Sequence, residues 1–169
     1  MLFRSRAAPL GSAAFHRELE RHLLLVYTGK PRFSGTNNWE LFKRQIDGDP
    51  GTVEFFERLK ENALLMKAAL ESEDISGAAE VLNRDWRTRR AMLPTMTTGE
   101  IEGVIAEGSR HGMLGARVCG AGGGGCVALL ADPARRDALA RRIQDLKMEV
   151  LPTRISETGV TVERDVGPH

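Results

Sequence analysis

Arg117-Val118-Cys119-Gly120-Ala121-Gly122-Gly123-Gly124-Gly125-Cys126-Val127-Ala128-Leu129-Leu130 reads as strand, glycine loop, strand. The first arm, Ala116 to Cys119, is short and apolar apart from Arg117, and the second, Cys126 to Ala131, is a continuous apolar run of the kind expected in a buried strand. Between the arms lie five glycines and one alanine. A two-residue turn would join two antiparallel strands at lower entropic cost. A longer glycine run implies that something approaches the backbone closely, and successive bare N–H groups make an anion-binding concavity suited to phosphate. The plainer alternative is a flexible connector, but such linkers usually carry serine between polar flanks. No Gly-Lys-Ser/Thr follows the loop and no helix opens there, which sets aside the nucleotide P-loop and the dinucleotide fingerprint.

Working outward, Asp132-Pro133 predicts a helix start, with Leu139, Ile143 and Leu146 on its core face. Glu149–Thr153 and Gly159–Arg164 read as two final strands. Upstream, Thr97 and Glu100 form an expected capping box for a helix with Ile101, Val104 and Ile105 on its buried side. Gly112 fits a left-handed stop for that helix, and His111 a cation near its end. Before it, Asp74 caps a helix whose apolar side is Ile75, Ala79, Leu82 and Trp86. That helix ends in Arg84-Asp85-Trp86-Arg87-Thr88-Arg89-Arg90, where the cations suit either the helix macrodipole or bidentate phosphate contacts.

Earlier still, Phe56, Leu59, Ala63, Met66 and Leu70 predict the core face of a long helix from Thr52 to Leu70. Asp47-Gly48-Asp49-Pro50-Gly51 separates it from a shorter helix capped by Asn37 or Asn38, with Trp39, Phe42 and Ile46 on one apolar face. Leu23–Thr28 predicts a buried strand, preceded by a short helix over Phe15–His22 and followed by a loop that carries Lys30 and Arg32. Met1 to His16 carries Arg4 and Arg6, and no acid occurs before Glu18. An organelle transit peptide has that character, but an irregular start to the chain accounts for it more simply. The expected organisation is therefore an irregular N-terminal segment over 1–18 and one domain over 19–169. The expected fold class is α+β, a small antiparallel sheet of split-βαβ, ferredoxin-like type covered by several helices.

The 169 residues suffice for one domain with its own core. With 24 basic and 23 acidic residues, the charge balance gives no general case for nucleic acid or an acidic membrane. Cys119 and Cys126 flank the loop, match no zinc spacing, and read as reduced thiols in a cytoplasmic protein.

Gly120 to Gly125 after Arg117-Val118-Cys119 resembles the C-terminal glycine motif of the GHMP small-molecule kinases. Leu24-Leu25-Val26-Tyr27-Thr28-Gly29 is similar to the strand that opens that family's C-terminal domain. Phe33-Ser34-Gly35-Thr36-Asn37-Asn38-Trp39-Glu40 looks like the sugar-kinase branch, near the heptose 7-phosphate kinases. The resemblance covers about Leu19 to Val162 and implies transfer of the γ-phosphoryl of ATP, with Mg²⁺, to a sugar or sugar phosphate. It implies phosphate or substrate contacts from Gly120, Ala121, Gly122, Gly123, Gly124, Gly125 and Arg117, and acceptor contacts from Thr28, Gly29, Arg32 and Asn37. The family's ATP loop, of Pro-x-x-x-Gly-Leu-x-Ser-Ser-Ala type, and its catalytic Asp belong to an N-terminal domain with no counterpart here. No catalytic residue and no protein metal ligand is therefore assigned. The expected partners are the sugar substrate and either a separate N-terminal kinase half or a second copy, with no nucleic acid or membrane. A different class, a phosphometabolite-binding or interaction module without catalysis, fits the same loop.

Overall fold

The computed structural model describes residues 10–31 and 37–156, apart from the side chains of Asn37 and Asn38. In chain order these form α1 (Ala13–His22), β1 (Leu23–Tyr27), α2 (Asn37–Ile46), α3 (Pro50–Glu71), α4 (Ile75–Met92), a 3-10 turn (Pro94–Met96), α5 (Gly99–Arg110), β2 (Met113–Val118), β3 (Cys126–Ala131), α6 (Arg136–Asp145) and β4 (Glu149–Leu151). The sheet order is β2-β3-β1-β4, and every neighbouring pair is antiparallel. Read with the helical crossovers, this is the split-βαβ arrangement, with α2 to α5 expanding its first crossover.

The strands alternate between two packed faces, as their period of two requires. Leu24, Val26, Val118, Val127 and Leu129 point to one face and meet Ile101 and Val104 of α5 and Leu139 and Ile143 of α6. Leu23 and Leu130 point to the other, among Leu19 of α1, Ala69 of α3 and Ala78 and Ala79 of α4. α4 lies so close to β2 that a side chain at Gly115 would meet the Ala79 carbonyl at 2.4 Å. Asn83 of α4 serves the edge strand directly: its amide donates to the Leu114 carbonyl at 2.9 Å and its oxygen accepts from the Ala116 N–H at 3.1 Å. These bonds sit at the irregularity between Met113 and Gly115, where the β2–β3 register slips.

Among the described residues the expected elements form, with local corrections. The buried stripe of α3 is Thr52, Phe55, Asn62 and Ala69, while Ala63 is exposed. Two polar residues on the inward face turn the apparent apolar stripe away from the true one. The α5 cap is Thr98, which accepts from the Ile101 N–H; Thr97 instead donates to Glu102 at 2.6 Å. α6 starts at Arg136, because Asp132 first closes a turn by accepting from the Ala134 and Arg135 N–H groups. Leu146 is exposed just past the end of that helix. The expected strand over Gly159–Arg164 lies outside the described residues.

α2 shows the largest departure. Its inward residue is Leu41, while Trp39 and Ile46 are 72% and 83% exposed and Phe42 is half exposed. Among the described residues no helix is long and apolar enough to cross a membrane.

Candidate functional site

The glycine loop is shaped by two close approaches. Gly122 has φ +75°, and a side chain there would meet the Met96 carbonyl oxygen at 2.6 Å. Gly124 has φ +139° and would place a side chain 3.0–3.1 Å from the Pro31 and Lys30 carbonyls. Glycine is therefore required at both, for conformation and for space. The loop is also tied down. The Gly123 N–H donates to the Met96 carbonyl and the Gly125 N–H to the Lys30 carbonyl, each at 2.8 Å. Cys119 N–H donates to the Cys126 carbonyl across its base at 2.8 Å.

The backbone groups are thus divided in role. The N–H groups of Gly123 and Gly125 are spent on protein carbonyls. Those of Gly120, Ala121, Gly122 and Gly124 have no partner among the described residues. Thr28 is buried, and both its N–H and its hydroxyl donate to the Gly125 carbonyl, at 3.0 and 2.9 Å. Gly29 follows in a left-handed conformation with open space where a side chain would be. Arg32 lies outside the described residues; α2 begins at Asn37, and the side chains of both expected caps lie outside them too.

Lys30 joins the loop to α5 through an ion pair of 2.5 Å with Glu100. That bond, with help from the helix start, lowers the Glu100 carboxyl to about 2. Cys119 and Cys126 are free thiols. Burial pushes the Cys119 thiol up, and the neighbouring Cys126 adds to the shift.

Gly120 and Ala121 form one end of a cleft of about 300 Å³. Leu41 and Phe42 of α2 and Phe55, Phe56 and Leu59 of α3 make its apolar wall. Phe56 stacks on Phe42 with ring centres 6.1 Å apart, and Phe55 meets it edge-on at 5.5 Å. Leu93, Met96 and Arg89 close the remaining side. Arg89 is the one charged residue on the wall among the described residues.

Arg89 is fixed from behind. Asp85, 8% exposed and one turn earlier on α4, accepts from its Nε at 2.7 Å. The same oxygen lies 3.3 Å from Nε of Arg117 on β2. Two guanidinium groups therefore share one buried carboxylate, and Arg117 reaches the site through Asp85. Nothing in the sequence sets Asp85 apart inside the arginine run except its i,i+4 spacing to Arg89. Of the other arginines of that run, Arg84 pairs with Glu61 and Arg90 with Glu102.

Residues 66–147, from mid-α3 past the end of α6, match the family described as GHMP kinases C terminal. The glycine loop lies within that match, which takes in just under half of the chain. It is 26% identical over 127 residues to a D-glycero-alpha-D-manno-heptose 7-phosphate kinase of Campylobacter jejuni, covering 75% of this chain and 37% of that protein. It is 27% identical over 137 residues to the bifunctional fucokinase/GDP-fucose pyrophosphorylase of Arabidopsis thaliana, covering 80% of this chain and 13% of that protein. The chain thus spans well under half the length of either curated relative. The fold recurs in Leishmania major mevalonate kinase, solved with R-mevalonate, with a TM-score of 0.65 at 20% identity over 73% of this chain and 38% of that one. It recurs in a D-glycero-D-manno-heptose 1-phosphate kinase of Bacteroides thetaiotaomicron, with a TM-score of 0.56 at 18% identity over 84% of this chain and 35% of that one.

Proposed function

We propose that this chain is the acceptor-side, C-terminal part of an ATP-dependent kinase of GHMP type that acts on a sugar or sugar phosphate in the cytoplasm. The observation that carries the proposal is the glycine loop: its Gly120–Ala121 end opens, with unpaired N–H groups, on the cleft that holds Arg89. Phosphoryl transfer is mostly positioning and charge stabilisation. N–H groups fixed by a rigid loop stabilise charge that develops on a transferred or attacked oxygen without reorganising. The two pinning bonds to Met96 and Lys30 hold those donors in place. On this proposal Gly29, Arg32 and Asn37 contact the acceptor, while Thr28 acts indirectly by bracing Gly125. The heptose phosphate and fucose activities named for the curated relatives support a sugar acceptor.

The residues present fit one phosphoryl group rather than a whole Mg²⁺–ATP. Mg²⁺ binds through one or two carboxylates and substrate phosphates, and among the described residues no carboxylate lines the cleft. ATP with its cation would supply the phosphoryl group from outside this wall. A second kinase domain is the partner we propose to deliver it, and the exposed Trp39, Phe42 and Ile46 favour that over an isolated binding module. Calorimetric titration of the purified chain with Mg²⁺–ATP tests the division of labour. We expect no measurable heat at micromolar concentrations. Micromolar binding would mean that the chain builds a nucleotide site unaided, and the proposed split would be wrong.

A further inference from the structure

We infer that Arg89, braced by Asp85 and Arg117, is the residue that recognises a phosphate carried by the sugar acceptor, so that the cleft selects phosphorylated over neutral sugars. The inference rests on the acceptor-side reading and names the acceptor's class. Its first support is charge. Asp85 neutralises one of the two guanidinium groups it touches, which leaves the Asp85–Arg89–Arg117 cluster with a net positive charge. Its second is donor count. A guanidinium has five N–H donors in a fixed fork, and Arg89 spends its Nε on Asp85 while neither Nη has a partner among the described residues. Arg89 itself lines the cleft. A fork held at Nε with two free donors ahead matches two oxygens of a phosphate.

The rest of the wall explains why the ligand is more than a free ion. Phe42 and Phe56 give the same cleft a carbon surface. A sugar ring offers a C–H face to such a surface and a phosphate to the arginine, whereas inorganic phosphate uses only the second. The unpaired N–H groups of Gly120 and Ala121 lie at the same cleft. Arg117 has a positioning role, since its contact with Asp85 sets where the carboxylate stands and hence where Arg89 points.

The test is titration of the ¹⁵N-labelled chain with mannose 6-phosphate, mannose and inorganic phosphate, followed through the Gly120 and Ala121 amides and the Arg89 Nε–H signal. Mannose 6-phosphate should shift all three and bind about tenfold or more tighter than either other probe. Arg89→Gln should lose about tenfold of that affinity, while Arg58→Gln on the exposed side of α3 should leave it unchanged. Equal binding of mannose, or equal binding of inorganic phosphate, would overturn the inference. So would retained affinity in a folded Arg89→Gln chain. Should that variant unfold, the wild-type probe comparison decides alone. Failure of the kinase proposal is separable: mannose 6-phosphate binding without phosphoryl transfer in the reconstituted enzyme would leave the anion site standing and remove the kinase role. Transfer to neutral sugars only would do the reverse.

Discussion

Gly122 and Gly48 have nearly the same backbone conformation, φ +75° and +74°, but different surroundings. A side chain at Gly48 meets nothing within 4 Å, while one at Gly122 meets Met96 backbone atoms. Gly48→Ala should therefore cost about 1 kcal/mol, the left-handed strain alone. Gly122→Ala should cost roughly 2–4 kcal/mol, because overlap with backbone adds to the strain. Paired denaturant melts measure the difference, and equal losses would contradict the close approach. Asn62 makes the opposite case. It is 2% exposed, and neither polar atom of its amide has a partner among the described residues. Asn62→Leu removes that desolvation cost and should raise stability by about 1 kcal/mol, or about 3 °C in Tm. Glu100 provides a pH test. Its folded carboxyl lies near 2, below the ordinary 4.5. The pairing with Lys30 thus contributes fully above about pH 4.5 and is lost as pH falls towards 2. A carbon-detected titration of Glu100 should show a midpoint near 2, moving up towards 4.5 in Lys30→Met; an unmoved midpoint would remove Lys30 as the cause.

Among the elements, the glycine loop was the most legible in sequence, because only glycine tolerates the conformations it needs and five occur between two apolar arms. What the loop leans on was not legible. Met96 and Lys30 accept its N–H groups from distant turns, and nothing local marks a carbonyl as a partner. In α3 the pattern misleads for a different reason: Thr52 and Asn62 face inward, so hydrophobic period and burial part company. α2 is amphipathic, as its sequence spacing predicts, but its apolar stripe faces out. Ile46→Lys on that stripe should change stability by less than about 0.5 kcal/mol. The same change should weaken association with a kinase N-terminal domain by several-fold in a pull-down titration. A large stability loss would instead mean that Ile46 belongs to this chain's own core.

At the scale of the whole molecule, the sheet order β2-β3-β1-β4 brings four distant segments to one end: the turn after β1, the β2–β3 loop, the end of α4 and the 3-10 turn. The cleft lies where the loop and α4 meet the phenylalanines of α2 and α3. Arg117 and the glycines could be singled out from sequence because they sit in one motif. Asp85 and Arg89 join them only through the packing of α4 on β2, which no local pattern encodes. On the proposed function, this assembly is the acceptor half of a phosphoryl-transfer site. The most direct measurement is transfer of labelled phosphate from Mg²⁺–ATP to sugars and sugar phosphates, with the purified chain alone and with a GHMP sugar-kinase N-terminal domain added in trans. The chain alone should show no turnover, and the two combined should transfer phosphate. Transfer at an enzyme-like rate by the chain alone, or none by the combination when the two domains bind each other, would contradict the proposed function.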